Sequence, residues 1–207
     1  MKKFKLHQGK IVPINIINID TDIIIPKQFL KKTTKKGFGK NLFYNWRFLD
    51  NKGLVINKKF ILNKKKFKNS SILITGKNFG CGSSREHAVW ALMDYGFKVI
   101  IASKFSDIFY NNSVNNNLLL IKLKEKRIQK IISNIIKYNN TKCIINLKKK
   151  KIILKKKIYK FSINKSYHLK LLNGLDSIDL TLKNIKKIIH YENNKIPKFL
   201  ENRKLFS

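Results

Sequence analysis

Two hydroxyls and a guanidinium stand side by side at Ser83, Ser84 and Arg85, directly behind Gly80 and Gly82. A glycine turn that runs straight into a helix leaves backbone N–H groups without intrahelical partners, and the helix dipole favours negative charge there. The spacing puts the amides of Ser84, Arg85 and Glu86 in that position. Arg85 adds a fixed cation whose planar fork matches a carboxylate. This combination can bind a small carboxylic acid or phosphate with a hydroxyl beside it. It is no Walker loop, which needs Lys followed by Ser or Thr after its last glycine, and the glycines do not fit a dinucleotide fingerprint. A structural reading stands beside the functional one: the glycines make a tight turn, Ser83 and Glu86 form a capping box, and Arg85 pairs with a neighbour.

Asp20-Thr21-Asp22 sets two carboxylates around a hydroxyl. That pattern suits acid/base work or the orienting of a ligand, and an Asx-type turn before a strand accounts for it on local grounds alone. Cys81 lies near His87, but the spacing is not diagnostic of a thiol nucleophile and no third partner is visible. The histidines His7, His87, His168 and His190 are scattered, and Cys81 and Cys143 are far apart, so no metal or iron-sulfur cage is expected in this chain.

The elements that must position these groups are legible around the turn. Ser71 to Thr75 is a short β-branched run, broken by Gly76, Gly80 and Gly82, three residues free to adopt positive φ. Ala88, Val89, Ala91 and Leu92 then give a helical apolar face that Gly96 ends, and Lys98 to Ala102 is a second strand. A β-α-β unit of this kind implies parallel pairing with the turn at a strand's carboxyl end, where open α/β sheets bind ligands.

Upstream, Ile11 to Val12 and Ile23 to Ile25 read as strand pieces, Gln28 to Lys32 as a helical turn, and Gly37 and Gly39 as a loop. Residues 50 to 70 read as an extended connection anchored by Phe60, Ile61, Leu62 and Phe67. Downstream, Phe105 to Val114 is a helix with Phe105, Ile108 and Phe109 on one face. Leu118 to Leu123 is a buried strand, and Glu125 to Tyr138 an amphipathic helix through Ile128, Ile131, Ile132, Ile135 and Ile136. Cys143 to Leu147, Lys151 to Leu154 and Ile158 to Ile163 form an antiparallel meander. Leu182 to Tyr191 is a last helix with Ile185, Ile188 and Ile189 buried, and Pro197 closes the fold. The class is α/β, a partly parallel central sheet with an added antiparallel meander.

The chain has 207 residues, enough to bury a core without staples, with 46 Lys plus Arg against 11 Asp plus Glu. Such a balance points to nucleic acid. Only four of the basic residues are arginine, however, and the lysine comes with excess Asn, Ile and Phe, the residues of A- and T-rich codons. The charge therefore reads as a solvated surface. The apolar residues after Lys2, Lys3 and Lys5 are interrupted by Pro13, Asn15, Asn18 and Asp20, so no signal-peptide core forms, and no stretch approaches a membrane span. A cytoplasmic protein is expected.

NFGCGSSREHA, followed by DYGFKVIIASKFSDIFYNNS, is similar to the small-subunit family of 3-isopropylmalate dehydratases in the aconitase superfamily. The resemblance extends to DTDIIIPKQFL, GFGKNLFYNWRFL and NGLDSIDLTL, in the family's order and spacing. It implies an aconitase-type swivelling β/β/α domain over residues 1–207, with a C-terminal helical extension from about 182. It also implies an obligatory large subunit, in a heterodimer or higher assembly, carrying a [4Fe-4S] cluster. The implied reaction isomerises 2-isopropylmalate to 3-isopropylmalate through 2-isopropylmaleate in leucine biosynthesis. By motif, Ser83 becomes the general base and the amides of Ser84 and Arg85, beside Gly82, an anion hole. The Arg85 side chain holds a substrate carboxylate, and Asp22 matches an acidic active-site position. Lys27 joins the substrate-binding set, and the loop from Lys27 to Gly39, with Gln28, Phe29 and Leu30, lies where substrate choice is made. A related hydratase acting on methylmalate, citraconate or a homoaconitase-type substrate is the alternative within the superfamily, and a basic nucleic-acid-binding protein the alternative from another class. A Ser83 hydroxyl serving as base conflicts with one serving as cap, so a loosened cap, or Ser84 as cap, is expected.

Overall fold

β-Branched runs form a parallel half-sheet in the computed structural model, which describes residues 3–31, 34–138, 141–155 and 157–195. Strands β1 (Leu6–Ile14), β2 (Ser70–Thr75), β3 (Val99–Ala102) and β4 (Leu119–Lys122) lie side by side and parallel, each beside the next. β3 is buried throughout, which is why it reads as an unbroken apolar run. β5 (Lys142–Asn146) then pairs antiparallel with the other edge of β1, and β6 (Lys151–Leu154) and β7 (Lys157–Lys160) continue the meander. The seven-stranded order is β4-β3-β2-β1-β5-β6-β7. Parallel and antiparallel halves, both expected from the strand patterns, thus meet at β1, a junction those patterns do not give.

Helices fill the crossovers. β1 leads into a one-turn helix α1 (Thr21–Ile24) and then α2 (Tyr44–Arg47). The expected strand at Ile23 to Ile25 is therefore a helical turn: Asp20 Oδ1 accepts the Ile23 N–H at 2.6 Å and caps it. The turn expected at Gln28 to Lys32 is a 3-10 turn over Lys27–Phe29, and Lys32 lies outside the described residues. Between α2 and β2 the chain runs through two short 3-10 turns, Ile61–Asn63 and Lys65–Phe67, with Leu62 and Phe67 buried and Phe60 and Ile61 packed against the core.

α3 (Glu86–Tyr95) joins β2 to β3, and α4 (Asp107–Asn115) joins β3 to β4. Gly96 ends α3 at φ 117°, and Ala88, Val89, Ala91 and Leu92 are buried as their spacing predicts. On α4, Phe109 is buried along with Phe105 just before it, but Ile108 is 48% exposed and leaves the expected face. α5 (Glu125–Lys137) carries the chain from the β4 edge across β2 and β3 and back to β1. Ile128, Ile131, Ile132 and Ile135 are buried there, while Ile136 sits on the solvent side at 66% exposure.

The C-terminal part departs most from the pattern. α6 (Lys165–Asn173) is a helix the apolar spacing does not announce; Asn164 caps it by accepting the Ser166 and Tyr167 N–H groups, and the Tyr167 hydroxyl donates to the Leu118 carbonyl. α7 (Ser177–Leu182) opens with an Asp176–Asp179 capping box. In α8 (Ile185–Lys195), Ile185 and Ile189 face solvent and Ile188 is only half-buried, against the expectation of a buried side. An apolar stripe makes a helix amphipathic, but only a facing surface buries it. Pro197 lies outside the described residues. Among the described residues no helix is long and apolar enough to cross a membrane.

Candidate active site

Because β1 and β2 are adjacent and parallel, the loops after them leave the same sheet edge together. Asn18 N–H donates to the Lys77 carbonyl (2.9 Å), Gly80 N–H to the Ile19 carbonyl (2.7 Å) and Thr21 N–H to the Cys81 carbonyl (2.9 Å). These bonds extend the parallel ladder past both strands and bring Asp20–Asp22 against Gly82–Arg85. Thr21 Oγ1 adds a bond to the Ser83 carbonyl at 2.9 Å. Gly80 and Gly82 both take positive φ, 75° and 84°, and the Ser106 hydroxyl donates to the Gly80 carbonyl. Gly76 does not take positive φ; its bare Cα instead admits the Ile16 carbonyl, which an added Cβ would meet at 2.7 Å.

The S-x-x-E box does not form. The carbonyls of Cys81 and Ser83 accept from Thr21, and the N-cap is Arg85, whose φ of −118° and ψ of 108° are extended, without a side-chain cap bond. Glu86 is then the first helical residue rather than the third. Its carboxylate accepts from Asn116 Nδ2 (2.6 Å) and Trp90 Nε1 (3.2 Å). Neither Ser83 nor Ser84 caps the helix. The Ser83 hydroxyl has no hydrogen bond among the described residues, nor do the backbone N–H groups of Ser84 and Arg85, and both serines are exposed.

Arg85 pairs with Asp22 through Nη1 and Oδ1. The two side chains differ in burial, 17% exposed for Arg85 and 49% for Asp22, and Nη1 has no directed hydrogen bond despite being out of solvent. The ion pair holds the guanidinium beside the Ser83 turn, and the other N–H donors of its planar fork suit a second carboxylate. The site brings together Asp22, Gly82, Ser83, Ser84 and Arg85. Lys27 and Gln28 follow α1 as exposed residues, while Phe29 and Leu30 are half-buried, Phe29 against Tyr44 with ring centroids 4.6 Å apart. No hydrogen bond joins these four to the Ser83 turn among the described residues.

Two other candidates drop away. His87 packs on Phe38 (5.4 Å between centroids) and Trp90 (4.6 Å). Burial, and then the Asp20 charge, raise the Cys81 pKa, which disfavours the thiolate a nucleophile needs. The residue the sequence reading undervalued is Thr21, whose amide and hydroxyl both hold the turn; its signal was its place inside D-T-D.

A mixed sheet whose first two parallel strands deliver a D-T-D helix cap and a G-C-G-S-S-R turn to one edge defines a domain of the aconitase C-terminal type, and the model of the Aconitase C-terminal domain family matches residues 1–126. A 3-isopropylmalate dehydratase small subunit of Buchnera aphidicola subsp. Pterocomma populeum is 61% identical over 206 residues, covering 100% of this chain and 99% of the relative. That of Buchnera aphidicola subsp. Acyrthosiphon pisum is 54% identical over 207 residues, covering 100% and 99%. The solved 3-isopropylmalate dehydratase structure from Methanocaldococcus jannaschii superposes with a TM-score of 0.62 at 26% identity, covering 91% of this chain and 99% of that one. The chain belongs to the 3-isopropylmalate dehydratase small-subunit family.

Proposed function

We propose that this chain is the small subunit of a hydro-lyase that converts 2-isopropylmalate to 3-isopropylmalate by loss and re-addition of water through 2-isopropylmaleate. The observation that supports the reading is the Arg85–Asp22 ion pair standing beside a Ser83 hydroxyl that has no hydrogen bond among the described residues. Arg85 holds a substrate carboxylate, sharing its fork with Asp22. The unbonded amides of Ser84 and Arg85, beside Gly82, stabilise negative charge that develops on that carboxylate. Ser83 takes the carbon-bound proton and returns it on the neighbouring carbon. Lys27 contributes positive charge at the rim, and Gln28, Phe29 and Leu30 size the alkyl group.

The helix terminus contributes at most ~2 kcal/mol to a nearby charge. At about 1.4 kcal/mol per pKa unit that lowers a hydroxyl's pKa by little more than one unit, far from ionising Ser83 at neutral pH. Arg85 and the exclusion of water on closure against a partner must supply the rest.

Departure of hydroxide calls for a Lewis acid. Iron-sulfur ligation draws on cysteine thiolates, and the chain's two cysteines are Cys81 at the turn and Cys143 buried in β5, too few and too separated to be read as a cluster shell. We place a [4Fe-4S] cluster in the large subunit and read residues 1–207 as one swivel-type domain, with a C-terminal helical extension from about 182, acting in the cytoplasm as part of a heterodimer or higher assembly. The test of substrate class is turnover of 2-isopropylmalate, methylmalate and citraconate by the reconstituted pair. Preference for isopropylmalate supports the reading, and preference for either shorter acid moves the chain to a related hydratase.

A further inference from the structure

The C-terminal part of the Lys27–Gly39 loop is fastened to both ends of α3. At the C-terminal end, Asp94 Oδ2 accepts the Gly37 N–H at 3.0 Å and the Gly39 N–H at 2.7 Å. The contact there is backbone on backbone: a Cβ on Gly39 would come within 2.5 Å of the Tyr95 nitrogen, so a side chain cannot be accommodated. Phe38, between the two glycines, is fully buried with its ring edge toward His87. At the N-terminal end, Lys35 Nζ donates to Asn116 Oδ1 at 3.0 Å, and Asn116 in turn donates to Glu86, the first residue of α3.

The same segment continues to α1. Arg47 Nη1 donates to the Lys40 carbonyl at 3.1 Å, and its guanidinium lies over the Tyr95 ring at 5.1 Å. The Phe43 N–H donates to the Ile24 carbonyl at 2.8 Å, and Tyr44 packs on Phe29. A continuous set of contacts therefore runs from the last turn of α3, through residues 37–44, to α1 and Phe29. Asp94 is exposed, yet in a chain of net charge +35 its carboxylate is spent on two loop amides.

We propose that Asp94 is a positioning residue for substrate selection. By holding Gly37 and Gly39 it fixes where Phe29 and Leu30 stand relative to Ser83–Arg85, and so fixes the space left for the substrate's alkyl group. This rests on the reading that Gln28, Phe29 and Leu30 select the substrate. Nine residues along a helix separate Asp94 from Arg85, about 13 Å of rise, so Asp94 acts on selection through the loop and not by touching substrate.

The experiment compares Asp94→Ala and Asp94→Asn in the full chain reconstituted with the large subunit, using 2-isopropylmalate and methylmalate, and follows amide exchange at Gly37 and Gly39 in the free chain. Loss of two charge-assisted bonds is expected to raise KM for isopropylmalate about tenfold in Asp94→Ala, with kcat changed less than about threefold. The preference over methylmalate shrinks, and both glycine amides lose protection while the middle of α3 keeps its own. Asp94→Asn, which retains a side-chain oxygen, recovers KM to within about threefold of wild type. Wild-type KM and preference in Asp94→Ala, or a fall in kcat alone, overturns the proposal. If the wild-type pair turns over neither acid, the functional reading falls and amide exchange decides the clamp: unchanged protection at Gly37 and Gly39 in Asp94→Ala overturns it.

Discussion

Thr21 Oγ1 donates to the Ser83 carbonyl at 2.9 Å, so the residue inside the D-T-D motif holds the main chain of the glycine-serine turn. The helix begins only after Arg85, and the Ser83 hydroxyl is left without a partner among the described residues. Local sequence assigns that hydroxyl to a cap and the family resemblance assigns it to proton abstraction. The geometry removes the conflict, because no cap is made.

Ser83→Ala should lower kcat by about 10²- to 10⁴-fold, the usual contribution of a positioned general base. The variant should still assemble with its partner, since the anchoring atom is the backbone carbonyl. Steady-state kinetics alongside size-exclusion of the complex makes the measurement. Turnover at the wild-type level would remove Ser83 as the base.

Arg85→Lys keeps the charge and loses the planar fork. A lost charge-assisted bond of about 1.5–3 kcal/mol corresponds to a KM some 10- to 150-fold higher for the dicarboxylate. Asp22→Asn removes the ion-pair partner of Arg85, and because Asp22 is half-exposed its effect on unfolding free energy should stay below about 1 kcal/mol. Substrate titrations of both variants and a urea melt of the second check this pair.

The face of α5 offers a test of the packing alone. Ile132→Ala, on the buried side, should cost about 2–5 kcal/mol in chemical denaturation. Ile136→Ala, one turn along and largely exposed, should change stability by less than about 0.5 kcal/mol. Equal losses would place the helix in the wrong rotation.

Burial of Cys143 raises its pKa from 9.0 to about 12. Below pH 9 the thiol is protonated whether the chain is folded or not, and it contributes no pH dependence. Above pH 9 the unfolded chain releases a proton that the folded chain retains, so stability falls as pH rises toward 12. The slope from this group is at most about 1.4 kcal/mol per pH unit. Stability measured from pH 8 to 11 should fall less steeply in Cys143→Ala than in wild type, and parallel curves would contradict the assignment.

Much of this was readable from residue order wherever periodicity and punctuation agreed. The β2-α3-β3 unit, the isoleucine face of α5 and the three-strand meander follow from β-branched runs, 3.6-residue spacing and glycine stops. The reading failed where tertiary contacts overrode local preference. Ile23 to Ile25 favours a strand by composition, yet the Asp20 cap makes it a helical turn. Ser83-x-x-Glu86 is a sound capping signal, yet the helix begins only after Arg85, and Thr21 holds the Ser83 carbonyl from 62 residues away. Helix α6 lacked a clean apolar stripe and is set by Asn164 and Tyr167, and the stripe of α8 meets no facing surface among the described residues. The candidate site residues stand in two contiguous motifs, D-T-D and G-C-G-S-S-R, which is why they could be singled out from residue order and from the family resemblance. Their mutual geometry was hidden, since it depends on β1 lying beside β2.

On the proposed function, this chain supplies a base, an anion hole and a carboxylate clamp to a reaction completed by a large subunit. The direct measurement is reconstitution: each subunit alone and the two mixed, assayed for interconversion of 2- and 3-isopropylmalate with the 2-isopropylmaleate intermediate followed by its absorbance. No turnover is expected from this chain alone, and turnover in the mixture should saturate as the large subunit is titrated in. Turnover by this chain without a partner, or none with a large subunit whose cluster is intact, would contradict it.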